Sequence, residues 1–246
     1  MRIVFLLLLS LISLQLIACP KNPSTTLSAS DVEHARALFI RHLEAIGATK
    51  DGIPHTALKM TGAMEYVGES GRNNFTIEQK IPNLYYIRIS LAGTGVFERG
   101  FDGEIFWERT PRESRFLTEE DVSTLQATID FQRWAHHMQW YPEINALETV
   151  EFAGETCDAL TATTHQGTQE RLMFSQSTGL LMGIEHIGER NSITRYGQYL
   201  IHDNIKVPTY WEDKRDGIHR VWKVEQFEWD RNEVDFRPPP SLLEEK

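Results

Sequence analysis

LYYIRISL, residues 84–91, alternates side chains with a period of two. Tyr85, Ile87, Ile89 and Leu91 fall on one side of such a segment, and Tyr86, Arg88 and Ser90 on the other. The segment therefore reads as a strand. Ten residues on, Phe101-Asp102-Gly103-Glu104 sets Asp-Gly between two strand-like runs, which is a strong hairpin signal. The period of two begins near Ala57, and after Pro142 it resumes over 147–152, 156–164, 169–175, 180–187, 192–202 and 218–229. Ala153-Gly154, Ser177-Thr178-Gly179 and Asp216-Gly217 punctuate these runs. Turn signals every 8–12 residues or so imply a meandering antiparallel sheet.

Two stretches follow a helical period instead. Ser30 and Glu33 have capping-box spacing, and Val32, Ala35, Phe39 and Ile46 recur at helical intervals until Gly47. This predicts a helix from about Asp31 to Ile46. A second helix is expected from Thr118, with Glu119, Glu120 and Asp121 at its positive end, to about Met138. The TEED run at 118–121 is cap chemistry and not a carboxylate pair for acid–base work. Val122, Leu125, Ile129, Phe131, Trp134 and Met138 make the second helix apolar over much of its circumference, so it needs to be surrounded. Two helices against ten or eleven strands define a mainly β (α+β) class. A sheet that long must curl, and a curved antiparallel half-barrel wrapped around the helices is expected. Space left between sheet and helices would be an apolar cavity open at one end, suited to an acyl chain.

The front of the chain is of another kind. IVFLLLLSLISL (3–14) follows Met1-Arg2 and is too short to span a bilayer, but it suits a secretory signal. No second stretch could span one. Leu16-Ile17-Ala18-Cys19 resembles a bacterial lipobox, which implies cleavage before Cys19 and acylation of that residue. Residues 1–18 are thus expected to be a lipoprotein signal peptide, 19–28 the lipidated cysteine and tether, and 29–246 one domain. Pro20 in place of Asp leans towards the outer membrane, by analogy with enteric lipoproteins. Acyl chains contribute about 0.8 kcal/mol per buried methylene, so several form an anchor that does not dissociate on a useful timescale.

Charge and motifs exclude several function classes. The net charge of −10, with no basic stripe, opposes nucleic acid and anionic headgroups. His136 and His137 are adjacent, so on a helix they point about 100° apart and make no metal pair. His34 and His42 have no acidic partners at ligand spacing and read as solvated. Gly68-Glu69-Ser70-Gly71 has the wrong spacing for a nucleophile elbow and reads as a hairpin turn. Cys157 lies in a strand-like run and reads as a buried small hydrophobe. No cofactor or metal site is expected, and no motif favours an enzyme.

FERGFDGEIFWERTPRESRFLTEEDV (97–122), FSQSTGLLMGIEH (174–186), YGQYLIHDNIKVPTYWE (196–212) and VDFRPPP (234–240) resemble the LolA/LolB-like superfamily of lipoprotein-sorting proteins. The shared pattern is an aromatic-Asp-Gly hairpin ending in Trp, a Ser/Thr-Gly-Leu-Leu turn, a Tyr-rich strand running into Val-Pro, and a terminal Phe-x-Pro. The chain departs from it at Asn204, where Gly is frequent. The resemblance implies an unclosed half-barrel of eleven strands, a helical plug and a lipid-accepting cavity used for binding and not catalysis. Cys19 favours the anchored, receptor-like arrangement, although no protruding apolar loop is found, and neither Arg88 nor Arg99 is assigned to the carriers' functional arginine.

The expected function is that of a lipid-anchored protein of the bacterial envelope, facing the periplasm from the outer membrane. It would bind lipid or lipoprotein acyl chains, in lipoprotein sorting or envelope maintenance. The alternative is a non-catalytic accessory lipoprotein that docks an envelope protein on its outer surface. The aromatics Phe97, Phe101, Trp107, Phe174, Trp211, Trp222 and Trp229 are divided between core and cavity. The expected lining is Ile87, Ile89, Phe97, Trp107, Trp134, Leu172, Phe174, Met182 and Trp222.

Overall fold

A computed structural model of the chain describes residues 27–118, 122, 125, 129–188, 191–231 and 234–243. Cys19 and the segment before it lie outside the described residues. Among the described residues, thirteen antiparallel strands form one curved, unclosed sheet. The first six are β1 (Ala57–Tyr66), β2 (Asn73–Lys80), β3 (Leu84–Leu91), β4 (Gly95–Phe101), β5 (Phe106–Arg109) and β6 (Ser114–Phe116). The other seven are β7 (Glu143–Phe152), β8 (Glu155–Thr163), β9 (Gln169–Ser175), β10 (Leu181–Ile187), β11 (Ser192–His202), β12 (Ile205–Arg215) and β13 (Ile218–Trp229). Among the described residues the helices are α1 (Ala29–Ile46), α2 (His137–Trp140) and α3 (Pro240–Leu243). The spatial order is β6-β5-β4-β3-β2-β1-β13-β12-β11-β10-β9-β8-β7. The chain therefore builds two meanders that meet at β1 and β13. The free edges, β6 and β7, are joined by the segment 117–142.

Strand β3 coincides with LYYIRISL, and its two faces are those the alternation assigns. Tyr85, Ile87, Ile89 and Leu91 join one cluster with Phe75 and Trp222, whereas Tyr86 packs on the other side against Trp107. The Asp-Gly hairpin joins β4 to β5, with Asp102 Oδ1 accepting from the amides of Glu104 and Ile105. The sheet has more strands than expected. Strands β5 and β6, four and three residues long, are too short to show a period. Strand β12 contains Pro208, a residue that ordinarily argues against a central strand. It is tolerated because β12 pairs with β13 only over Tyr210–Arg215, beyond the proline.

The helices need two corrections. α1 begins two residues earlier than the spacing predicts, because Ser28 and not Ser30 is the N-cap. Ser28 Oγ accepts from the Asp31 amide, and the Asp31 carboxylate accepts from the Ser28 amide and hydroxyl. Gly47, at φ 85°, ends the helix as expected. The second helix is not continuous where it is described. Residues 131–136 are turns, followed by the four-residue α2. Asp130 explains the break: its Oδ1 accepts from the Gln132 amide and its Oδ2 from Trp140 Nε1, which competes with helical pairing. The TEED acids at 119–121 lie outside the described residues.

The C-terminal segment straps the convex face. Trp107 Nε1 donates to the Phe236 carbonyl at 2.9 Å, and Tyr86, Phe236 and Leu242 enclose the indole. Trp107 lies over Gly100, its partner across the β4–β5 pair. A Cβ at position 100 would stand 2.5 Å from the indole, so only glycine admits this arrangement. Replacing Phe236 with Ala should uncover the ring and destabilise the protein by about 3 kcal/mol, read as a lowered urea midpoint with unchanged slope.

Candidate ligand-binding cavity

α1 fills one half of the bowl. Its residues Ala35, Leu38 and Phe39 pack on Leu160 of β8, Leu172 and Phe174 of β9, and Leu181 and Ile184 of β10. Phe39 meets the Tyr141 ring at 5.4 Å and that of Phe174 edge-on at 5.6 Å. This half is solid. Further along α1, Leu43 and Ile46 close one end of the bowl against Ile205 and Val207 of β12.

The other half holds a cavity of about 440 Å³ under β1–β3 and β11–β13, within the usual range for small-molecule sites of about 300–1,000 Å³. Leu58, Met60, Ile77, Tyr85 and Ile87 form one wall; Trp211, Trp222, Phe227 and Trp229 form the other. Ile46 of α1 and Phe131 and Trp134 of the crossing segment cover it. Trp211 and Trp222 are cross-strand partners stacked at 5.7 Å. Gln132 fastens the crossing segment, donating to the Ile53 and His55 carbonyls and accepting from the Ile53 amide.

A buried polar cluster separates the two halves. Glu170 accepts from the Tyr141 hydroxyl at 2.7 Å and faces His186 at 3.3 Å. Burial would raise its pKa, but His186, Arg133 and the Tyr141 bond outweigh this and lower it. Burial likewise disfavours the Arg133 charge, and Tyr141, Glu170, Tyr196 and Asp130 more than offset it. Arg133 also stacks on Trp134, 4.0 Å from the ring centroid.

His42 is a correction. It is buried and not solvated, because the helix face that carries it packs inward. Its Nδ1 accepts from the Leu181 amide at 3.2 Å, so that nitrogen carries no proton. His136 lies 3.8 Å from Asp130, and His137 Nδ1 bonds the Trp134 carbonyl. No cluster of three or more metal-ligating side chains occurs among the described residues. Cys157 is fully buried, and burial first, then nearby Glu155, Glu151 and Asp158, pushes its thiol up to about 11.

Of the expected lining, Ile87, Trp134 and Trp222 border the cavity. Ile89 and Phe97 share the concave cluster of Trp222 without bordering the space. Leu172 and Phe174 face inward but are sealed beneath α1, which occupies the volume they would have lined. Met182 and Trp107 point to the opposite face, into clusters with Cys157 and with Phe236. Sequence reasoning did not select Met60, Ile77 or Phe227 as lining. The alternation of Leu58 and Met60 in β1 was an available signal, whereas β12, not read as a strand, offered no face on which to place Trp211.

Fold comparison gives the class. A LolA superfamily protein from Nitrosomonas europaea matches with a TM-score of 0.57 and 14% identity, over 83% of this chain and 97% of that one. A domain from Vibrio parahaemolyticus assigned to outer membrane lipoprotein sorting matches at 0.57 and 8%, over 82% and 95%. A DUF1329 family protein from Desulfovibrio piger matches at 0.55 and 13%, over 83% and 95%. No family model and no curated protein matches the sequence. The protein is thus an unclosed β half-barrel around a helical plug. That fold is LolA-like, as its motifs lead one to expect.

The cavity wall carries a pH dependence. Burial holds His42 down at about 4, helped by the Arg133 charge and against a backbone bond to Gly179. The unfolded chain, with an ordinary histidine near 6.5, binds the proton that the folded chain refuses. Stability should therefore be fully present above about pH 6.5 and fall by on the order of 3 kcal/mol as the pH drops to about 4. Chemical denaturation across this window should show the slope in the native protein and a shallower one in His42→Gln. His137, also depressed by burial, would supply part of what remains.

Proposed function

We propose that this protein is a lipid-anchored component of the bacterial envelope whose cavity takes an acyl chain from a lipid or a lipoprotein. The observation that carries the proposal is the 440 Å³ space itself, walled by aliphatic and aromatic side chains on the concave side of an unclosed sheet. Its chemistry is burial without bond breaking, at about 0.8 kcal/mol for each methylene removed from water. Recognition of lipid and not catalysis agrees with the neighbours' fold, one of which is assigned to lipoprotein sorting.

The anchor belongs to the same proposal. Residues 1–18 serve as a signal peptide, Cys19 bears the lipid, and 19–28 tether a domain that spans 29–246 and faces the periplasm from the outer membrane. Among the described residues no helix is long and apolar enough to cross a membrane. Cys157, sealed in the sheet with its thiol raised, is a poor competitor for acylation.

Organic extraction of the purified full chain, followed by mass spectrometry, should recover non-covalent acyl lipid. Met60→Trp fills the cavity without adding charge and displaces two or three methylenes, so it should weaken acyl-chain binding by roughly 15- to 60-fold and cut recovery accordingly. Absence of lipid from the native protein would remove the proposal. Labelled palmitate should enter the native chain and disappear completely in Cys19→Ser; label retained in that variant would move the anchor elsewhere.

A further inference from the structure

The inward residues of β10–β13 change character row by row. Register places Tyr196, Trp211 and Trp222 side by side, next to Met64 of β1. One row nearer the β12–β13 turn stand Thr194, Asp213 and Arg220, and the last row holds His186, Ser192, Arg215 and Ile218. The cavity lining runs through all three rows. It passes from stacked indoles to a hydroxyl-bearing, cationic rim, while the opposite end is closed by α1 and apolar side chains.

Among the described residues, pairing within the rim leaves one cation, Arg215, unmatched from inside. Asp213 receives Arg220 through Nε at 2.8 Å and Nη2 at 2.5 Å, and its second oxygen accepts from Trp222 Nε1 at 2.5 Å. Both oxygens of Asp213 are thereby engaged. Arg215 has Asp216 at 3.6 Å, a carboxylate on the exposed turn and not in the cavity. Its own side chain is 35% exposed, as a residue at a mouth would be. Among the described residues, four basic side chains, Arg133, Arg215, Arg220 and Lys206, border the cavity against two carboxylates, Asp130 and Asp213. The protein as a whole carries −10, so this local excess of positive charge runs against the general balance.

We propose that the rim reads an anionic headgroup. The ligand is an amphiphile whose chain lies against Trp211 and Trp222 and whose carboxylate or phosphate meets Arg215, with Ser192 and Thr194 as neighbouring hydrogen-bonding groups. This rests on the acyl-chain reading above and adds the polar end of the same ligand. A guanidinium suits such a head because it offers a planar pair of donors to two oxygens.

The test uses the full chain carrying Cys19→Ser, so that no anchoring acyl group competes. Brominated palmitate and its methyl ester are titrated separately, and binding is read as quenching of tryptophan fluorescence. The acid should bind about tenfold more tightly than the ester, as one charge-assisted pair allows. Arg215→Gln should lower the acid's affinity to that of the ester measured on the same variant, and Arg215→Lys should keep part of the preference. Inorganic phosphate at matched concentration should not displace the acid. Equal affinity for acid and ester, or a preference that survives Arg215→Gln, would overturn the headgroup assignment and leave the acyl cavity standing. Displacement by phosphate alone would overturn it in favour of a site for a free anion. Failure of both ligands to quench would overturn the acyl-chain reading together with it.

Discussion

The pairing of β1 with β13 makes the rest of the molecule possible. These strands are separated by most of the domain's sequence, yet they run antiparallel over Leu58–Tyr66 and Arg220–Trp229, with a bulge between Thr61 and Gly62. Without this seam there would be two meanders, one of six strands and one of seven. Asp230 secures its end, accepting from the Thr56 and Ala57 amides, the Thr56 hydroxyl and His55. Those bonds, His55 first, hold its carboxyl at about 2. Pairing of such high sequence separation costs loop-closure entropy before it returns any energy. The seam therefore needs the Trp211, Trp222 and Met64 packing that accompanies it.

Joining the meanders at their first and last strands puts β6 and β7 at opposite edges. A flat sheet of thirteen strands at about 4.8 Å spacing would be close to 60 Å wide, and the connection between its edges must cross one face. It crosses the concave one because its own residues are apolar there: Ile129 packs on Phe101 and Phe106, and Trp134 and Tyr141 pack on α1. Twist and curvature follow from strand sterics, and the crossing segment gives the curvature something to enclose. One sheet then does the work that two facing sheets do in a sandwich.

The division of the bowl follows from where α1 lands. It presents Ala35, Leu38 and Phe39 to β8–β10 and leaves β1–β3 and β11–β13 covered only by the crossing segment. The Glu170, Tyr141, His186 and Arg133 cluster marks the boundary. Burying such groups is costly unless they satisfy one another. Their mutual bonding lets a charged cluster sit beside an apolar cavity, and it supplies the step from greasy wall to polar rim.

Local patterning was enough for much of this architecture. The period of two in 84–91 placed β3 and both its faces, Asp-Gly pairs marked turns, and Gly47 marked the end of α1, because each depends on a few neighbouring side chains and on backbone sterics. The order of weak motifs pointed to the LolA-like fold. Alternation also put Ile87 on the concave side. What it could not supply was which concave residues meet empty space. Leu172 and Phe174 face inward as surely as Ile87 does, but a helix distant in sequence covers them. Trp107 and Met182 have the composition of lining residues and point the other way, since the face of a strand is settled by register with its neighbours. Strand β12 was hidden by Pro208, whose tolerance depends on where β13 diverges from it. Secondary structure is written in short-range periodicity and steric preference, whereas a cavity is volume left over after long-range packing, and only the assembled sheet decides where that volume falls.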